Sequence, residues 1–128
     1  MDEQYEKKTD FGDRALDYAI RAVRLFRYLQ KQRDQAGMIV GKQFFRAATS
    51  IGANLAEASA GQTRADFIHK CSIAQKEARE CQYWLHLMST TEIASEGRLE
   101  NLKKETNEIV AILTSIVRKA KNQKIAHK

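Results

Sequence analysis

Apolar residues recur along this chain at three- and four-residue intervals in four separate blocks, which is the period of an amphipathic helix rather than of a strand. The first block runs from about Asp13 to Arg33. Leu16, Ala19, Ile20, Val23 and Phe26 form its main stripe, and Tyr18, Ala22, Leu25 and Leu29 widen the apolar arc to more than half the circumference. Asp13, just after Gly12, is placed to cap it. The second block, from about Met38 to Ser59, carries Val40, Phe44, Ala47, Ile51, Leu55 and Ala58 on one face. Gly52 interrupts it at a cost of about 1 kcal/mol relative to alanine, so a neighbouring backbone is expected to pass close to Phe45, Gly52 and Ala56. "AGQTRAD" breaks the rhythm, with Thr63 as the expected cap of a third helix reaching Thr90. Its stripe is narrow: Phe67, Cys71, Ala74, Ala78, Cys81, Leu85 and Met88. The fourth helix covers about Leu99 to Lys121, with Leu99, Leu102, Ile109, Val110, Leu113, Ile116 and Val117 inward; the chain beyond Val117 is expected to fray. Period-two alternation is absent. The fold expected is all-α: an antiparallel up-down-up-down four-helix bundle.

Two features exceed what a lone bundle needs. Ile73, Trp84 and Leu87, with Tyr83 at their edge, lie about a third of a turn from the core stripe of the third helix, and Tyr18, Leu25 and Leu29 lie off the Leu16–Ile20–Val23 line of the first. Large apolar side chains outside a core stripe mark a surface that something covers, and Trp and Tyr are the residues most concentrated at interface hot spots. Self-association is the expectation, against a plainer arrangement in which rotated helices share one wide core. The second feature is a polar line on the second helix: Gln43, Arg46, Ser50, Asn54 and Glu57, spaced as surface neighbours. A solvated face normally carries Lys and Glu. Ser and Asn compete with the helix backbone for hydrogen bonds and suggest a bonding task. The expected task is a partly buried network in which Glu57 pairs with a base of another helix or subunit, and Glu77 and Glu80 do the same at a subunit boundary. A ligand or nucleic-acid site is the alternative.

Composition narrows the classes. The 128 residues are 43% hydrophobic and 30% charged, with no proline, which fits one globular domain over 1–128 with an ordered core of about 11–120 and a basic tail of about 121–128. No apolar run approaches the length of a membrane span. "MDEQYEKKTD" has neither the apolar core of a secretory signal nor the arginine richness of a transit peptide. A cytoplasmic, non-membrane protein is expected. Cys71 and Cys81 stand roughly 15 Å apart along one helix, so they are read as reduced small hydrophobes.

The net charge of +6 permits an acidic partner. Between Arg14 and Arg33 there are six bases against one acid, Asp17, and the tail from Arg118 adds five bases and no acid. Arg14, Arg21, Arg24, Lys31, Arg118, Lys119, Lys121 and Lys124 are the candidate contacts to RNA or DNA, through phosphate neutralisation rather than base reading. The competing class is a protein–protein scaffold or adaptor. An enzyme is not expected, and neither catalytic residues, cofactor nor metal are assigned. Asp66-x-x-His69 has the spacing of a di-iron ligand pair, but such a site needs a second pair, and none exists. No phosphate loop, nucleophile elbow or zinc-protease motif is present.

The run "FFRAATSIGANLAEASA" (44–60), followed by "DFIHKCSIAQKEARECQYWLHLM" (66–88), resembles a bacterial four-helix-bundle family. That family includes proteins encoded in intervening sequences of large-subunit ribosomal RNA genes, and it is similar to the accessory variability proteins of diversity-generating retroelements. The motif residues are Arg46, Ala47, Ser50, Ile51, Asn54 and Glu57, then Lys76, Glu77, Glu80, Tyr83, Trp84 and Leu85. Cys81 stands where a threonine is expected. The resemblance covers about residues 11–120. It implies a left-handed bundle assembling as a homopentameric ring with a central channel and no catalytic residues. Its retroelement relatives bind nucleic acid and a reverse transcriptase through a basic surface. Arg46, Ser50, Asn54, Glu57, Ile73, Glu77, Glu80, Tyr83, Trp84 and Leu87 are then expected at the oligomer interface or in the network beside it.

Overall fold

The computed structural model describes the backbone of residues 3–61 and 63–126, and side chains within 11–61 and 63–123. It contains four helices: α1 (Glu3–Gln32), α2 (Gln35–Ser59), α3 (Arg64–Thr90) and α4 (Glu96–Ala126). No strand occurs among the described residues. Thr63 begins α3 with its hydroxyl accepting the Asp66 N–H at 3.0 Å, which satisfies one of the orphan donors of the first turn. Arg33 and Glu92, at φ 56 and 60, turn the chain after α1 and α3. A left-handed residue is the ordinary stop for a helix, usually supplied by glycine; here two charged residues take that conformation.

Each helix packs on the next in the chain, and α1 also meets α4, more sparsely. The cross-helix contacts are ordered. Phe26 stacks near Phe45 and Ala15 lies at Gly52. Arg46 meets Glu77 while Glu57 meets Lys70. Gln75 reaches Thr114 while Gln82 reaches Asn107. In each ladder later residues of one helix meet earlier residues of the next. One core unites all four helices, with Tyr18, Leu29, Phe44, Ile51, Leu85, Met88, Leu99, Ile109 and Leu113 at 2% exposure or less. Ala47, Ala48, Ala74, Ala78 and Cys81 are closed to solvent, so the α2–α3 seam is built from small side chains that let the two helices approach closely.

The expected stripe of α3 is the observed one except that Phe67 is half-buried and Glu77 joins the buried set. In α1 the expectation is reversed. Ala15, Tyr18, Ala22, Leu25 and Leu29 face the core, whereas Leu16 and Ile20 remain 59% and 39% exposed. The helix also starts by Glu3, so Asp13 is an interior residue and caps nothing. At the other end of the chain α4 continues through Ala126, and Ala120 is 7% exposed. The expected fraying after Val117 therefore does not hold over residues 118–126.

Gly52 has the neighbour expected of it: a Cβ built there would meet the Ala15 carbonyl oxygen at 3.7 Å, an ordinary van der Waals contact. Gly41 differs, because its Cβ would come within 2.7 Å of Leu29 Cδ1, a buried side chain in a packed core. Gly52→Ala should therefore raise stability by about 0.5–1 kcal/mol through helix propensity. Gly41→Ala should gain nothing or lose stability. Paired thermal melts check the contrast; a lower Tm for Gly52→Ala would show that the close approach is tighter than ordinary contact.

Candidate assembly and nucleic-acid surfaces

The polar line of α2 resolves into three separate local arrangements. Asn54 donates back within its own helix to the Ser50 carbonyl at 2.8 Å and to the Ser50 hydroxyl at 3.0 Å. Glu57 accepts from Lys70 on α3 at 2.6 Å, at a position open to solvent. Arg46 crosses to α3, where Nη2 donates to Glu80 Oε1 at 2.6 Å and Nη1 lies 3.4 Å from Glu77 Oε2. Glu80 Oε1 also accepts the Trp84 indole N–H at 3.1 Å. Glu77 and Glu80 thus pair with an arginine of their own chain, which takes the place of the expected subunit-boundary partner. The network holds α2 to α3 at a fixed register. Glu77 is buried, but Arg46 is exposed, so solvent screens its ion pairs and each contributes little.

Electrostatics in this cluster follow from the contacts. Burial pushes the Glu80 carboxyl upward, but the hydrogen bonds from Trp84 and Arg46 outweigh it, and its pKa ends below the usual carboxylate value. A carboxylate depressed in the folded state stabilises fully above its unfolded pKa, and that contribution is lost as pH falls through the folded value. Acidification through and below about 4.5 should lower the Tm. Arg46→Ala should flatten that part of the curve while leaving the part near neutrality parallel to the parent. Parallel curves throughout would remove Arg46 as the cause.

Trp84 is half-buried and packs against the central core, and Ile73 and Leu87 are half-buried too. They do not form the bare apolar face expected of them. The exposed aromatic is Tyr83, at 60%, edge-on to Trp84 with ring centroids 5.0 Å apart. A charge at Trp84 would disturb folding as well as any assembly, so Tyr83 is the cleaner probe. Tyr18, Leu25 and Leu29, expected as a second assembly face, are core residues. Their place on the outside is taken by Leu16 and Ile20.

Beside Leu16 lies an open groove of about 830 Å³. It runs between the early part of α1, the late part of α2, the start of α3 and the late part of α4, and its lining includes Phe11, Gly52, Ala56, Phe67, Ile112 and Ile116. No charged side chain among the described residues lines it. Its two hydroxyls, Thr49 and Ser59, donate to the Phe45 and Leu55 carbonyls of their own helix.

The basic candidates separate by what holds them. Arg14 Nε and Nη2 grip Glu105 at 2.6 and 2.8 Å, and Nη2 also contacts Glu108; this guanidinium ties α1 to α4. Arg21 is half-buried, 3.9 Å from Asp17. Arg24, Lys31, Arg118, Lys119 and Lys121 are exposed and make no ion pair among the described residues. The side chain of Lys124 lies outside those residues. Beyond the sequence candidates, Arg98 sits 3.6 Å over the Tyr28 ring.

One buried polar pair escaped the sequence reading. Tyr18 Oη and Thr106 Oγ1 are 2.5 Å apart in the core, and Thr106 donates to the Leu102 carbonyl at 2.6 Å. Its trace in the sequence was a threonine occupying the inward line between Leu102 and Ile109. The Cys81 thiol, pushed up to about 12 mainly by burial, and the Cys71 thiol, raised by the same cause, are free and buried. Both stay protonated near neutrality and are poor nucleophiles. Among the described residues no group of three or more His, Cys, Asp or Glu could hold a metal ion. No helix among the described residues is long and apolar enough to cross a membrane.

A family model described as 23S rRNA-intervening sequence protein matches residues 7–115. A solved protein of unknown function from the S23 ribosomal protein family of Bacteroides thetaiotaomicron VPI-5482 is 40% identical, with 88% of this chain and 98% of that chain covered and a TM-score of 0.81. No curated protein matches the chain.

Proposed function

From its membership of the 23S rRNA-intervening sequence protein family, to which the chain belongs, we propose that this is a non-enzymatic cytoplasmic protein. On this reading it is an up-down-up-down bundle that assembles into a homopentameric ring and binds RNA or DNA through repeated basic surfaces. The observation that carries the assembly is the pair of exposed large apolar residues, Leu16 and Ile20, beside an uncharged groove; a protein surface seldom leaves such a patch uncovered. The ordered contact ladders support the alternation of helix direction, and the number five comes from the family resemblance. Arg24, Lys31, Arg118, Lys119 and Lys121 support the binding role. Repeated around a ring, weak phosphate contacts reinforce one another.

Light scattering on the purified chain tests assembly, and filter binding of structured RNA over a salt series tests binding. Retention should fall steeply with salt. Joint Arg118→Ala and Lys119→Ala substitution should reduce the logarithmic salt slope by about 2 per engaged site, since each phosphate contact contributes roughly 0.9. No retention at about 50 mM salt, where such contacts are strongest, removes the nucleic-acid role and favours a protein scaffold.

A further inference from the structure

The large apolar side chains left exposed among the described residues are Leu16, Ile20, Ile39 and Tyr83, and they fall into two groups, one on α1 and one on α2 and α3. Leu16 and Ile20 share one line of α1, and Leu16 borders the groove. Ile39 stands two helical turns before Arg46 on the same side of α2, and Tyr83 lies one turn after Glu80 on α3. The Arg46–Glu80 contact therefore places Ile39 and Tyr83 together on the outer α2–α3 face. Resting on the assembly reading above, we propose that copies of this chain join head to tail, the α1 groove side of one receiving the Ile39–Tyr83 face of the next.

Shape and charge both favour this pairing over a symmetric one. The groove is concave and uncharged, with its hydroxyls already bonded to their own helix, so it suits an apolar convex partner. On α1 the exposed Asp13 and Asp17 flank Leu16, the latter only loosely held by Arg21, and Arg24 lies a turn beyond Ile20. On the other face Lys42 follows Ile39, and Lys76 and Arg79 precede Tyr83. All three are exposed, and none makes an ion pair among the described residues. Groove against groove would set Asp13 and Asp17 against their own copies, and the Tyr83 face against itself would oppose three bases with three bases. Groove against Tyr83 face sets acids against bases. A contact between two different faces leaves one of each kind free on every pair, so it propagates until it closes, which is the geometry of a ring.

The test uses complementation in the full chain. Leu16→Glu damages only the groove side and Tyr83→Glu only the other face; both positions are exposed, so circular dichroism spectra should match the parent, while the melts lose only the stability that association adds. Each variant alone should sediment as a single chain. Mixed at high concentration they should form one-to-one pairs of twice that mass, because one intact groove then meets one intact Tyr83 face. Ile20→Glu with Ile39→Glu repeats the experiment at independent positions on α1 and α2. Tyr83→Glu that still assembles fully would overturn the proposal in favour of a groove-to-groove contact, and dissociated variants that fail to pair would overturn it as well. An unmodified chain that is itself monomeric removes the assembly reading, a result visible before any variant is made.

Discussion

Thr106→Val should destabilise the protein more than Tyr18→Phe, although both remove the same hydrogen bond. The Thr106 hydroxyl gives its proton to the Leu102 carbonyl, so in the 2.5 Å contact Tyr18 is the donor. Tyr18→Phe leaves Thr106 still donating and deprives it only of one accepted bond, for a loss of about 1 kcal/mol. Thr106→Val leaves a phenol hydroxyl without that acceptor in a fully buried site, where an unsatisfied polar group costs about 1–3 kcal/mol. Tyr18→Ala is more severe, because it also empties the space of a ring with 0% exposure; truncations of this size in a core cost about 3–5 kcal/mol. Urea unfolding of the three variants should rank them Tyr18→Ala, Thr106→Val, Tyr18→Phe from weakest to strongest. Equal midpoints for the two conservative variants would show that the bond contributes symmetrically and that the donor assignment is wrong. The same burial holds the Tyr18 pKa well above its ordinary value, so the pair keeps its proton throughout the working range of such an experiment.

Ala78→Leu should be the most damaging enlargement. Ala78 follows Glu77, the residue that Arg46 reaches from α2, so it lies near the level of Ala47, and both are fully closed to solvent. A leucine there has no void to enter. It must push α3 from α2 and strain the Arg46 contacts to Glu77 and Glu80. Overpacking of this kind costs about 1–3 kcal/mol and sometimes more. Ala65→Leu, on α3 but exposed and away from the groove, should leave the Tm nearly unchanged. Calorimetry on the two variants checks the difference, and a comparable loss at both sites would mean that the seam is not the tight contact its small residues indicate.

How far the sequence could be read depended on how wide each apolar arc was. In α3 the arc is narrow and flanked by Lys76, Arg79 and Gln82, so the period fixes its phase and the stripe from Cys71 to Met88 could be read directly. In α1 apolar residues cover more than half of the circumference. The period then proves a helix but not its rotation, and the Leu16–Ile20 line proves to be the outer side. Tyr18 lies off the Leu16–Ile20–Val23 line, and the partner that satisfies its hydroxyl in the core, Thr106, is 88 positions away. Arg14 looked free for the same reason: Glu105 and Glu108 are brought to it only by the packing of α4. The candidate surfaces were misplaced in the same manner, with Trp84 half-buried and Tyr83, at the edge of its group, the more exposed.

Four helices, the Thr63 start of α3, the apolar seam of small residues and the excess of basic charge are local properties of this chain. They follow from composition and period because each is decided within a few turns of backbone. The rotation of α1, the partners of Arg14, Tyr18 and Arg46, and the groove beside Leu16 came only with the tertiary structure. A helix with two apolar sides can be oriented only by its neighbours: the close approach at Gly41 and Gly52 and the buried acceptor on α4 turn α1 so that Ala15, Tyr18, Ala22, Leu25 and Leu29 go in. Leu16 and Ile20, which local hydrophobicity would hide just as readily, are left facing out.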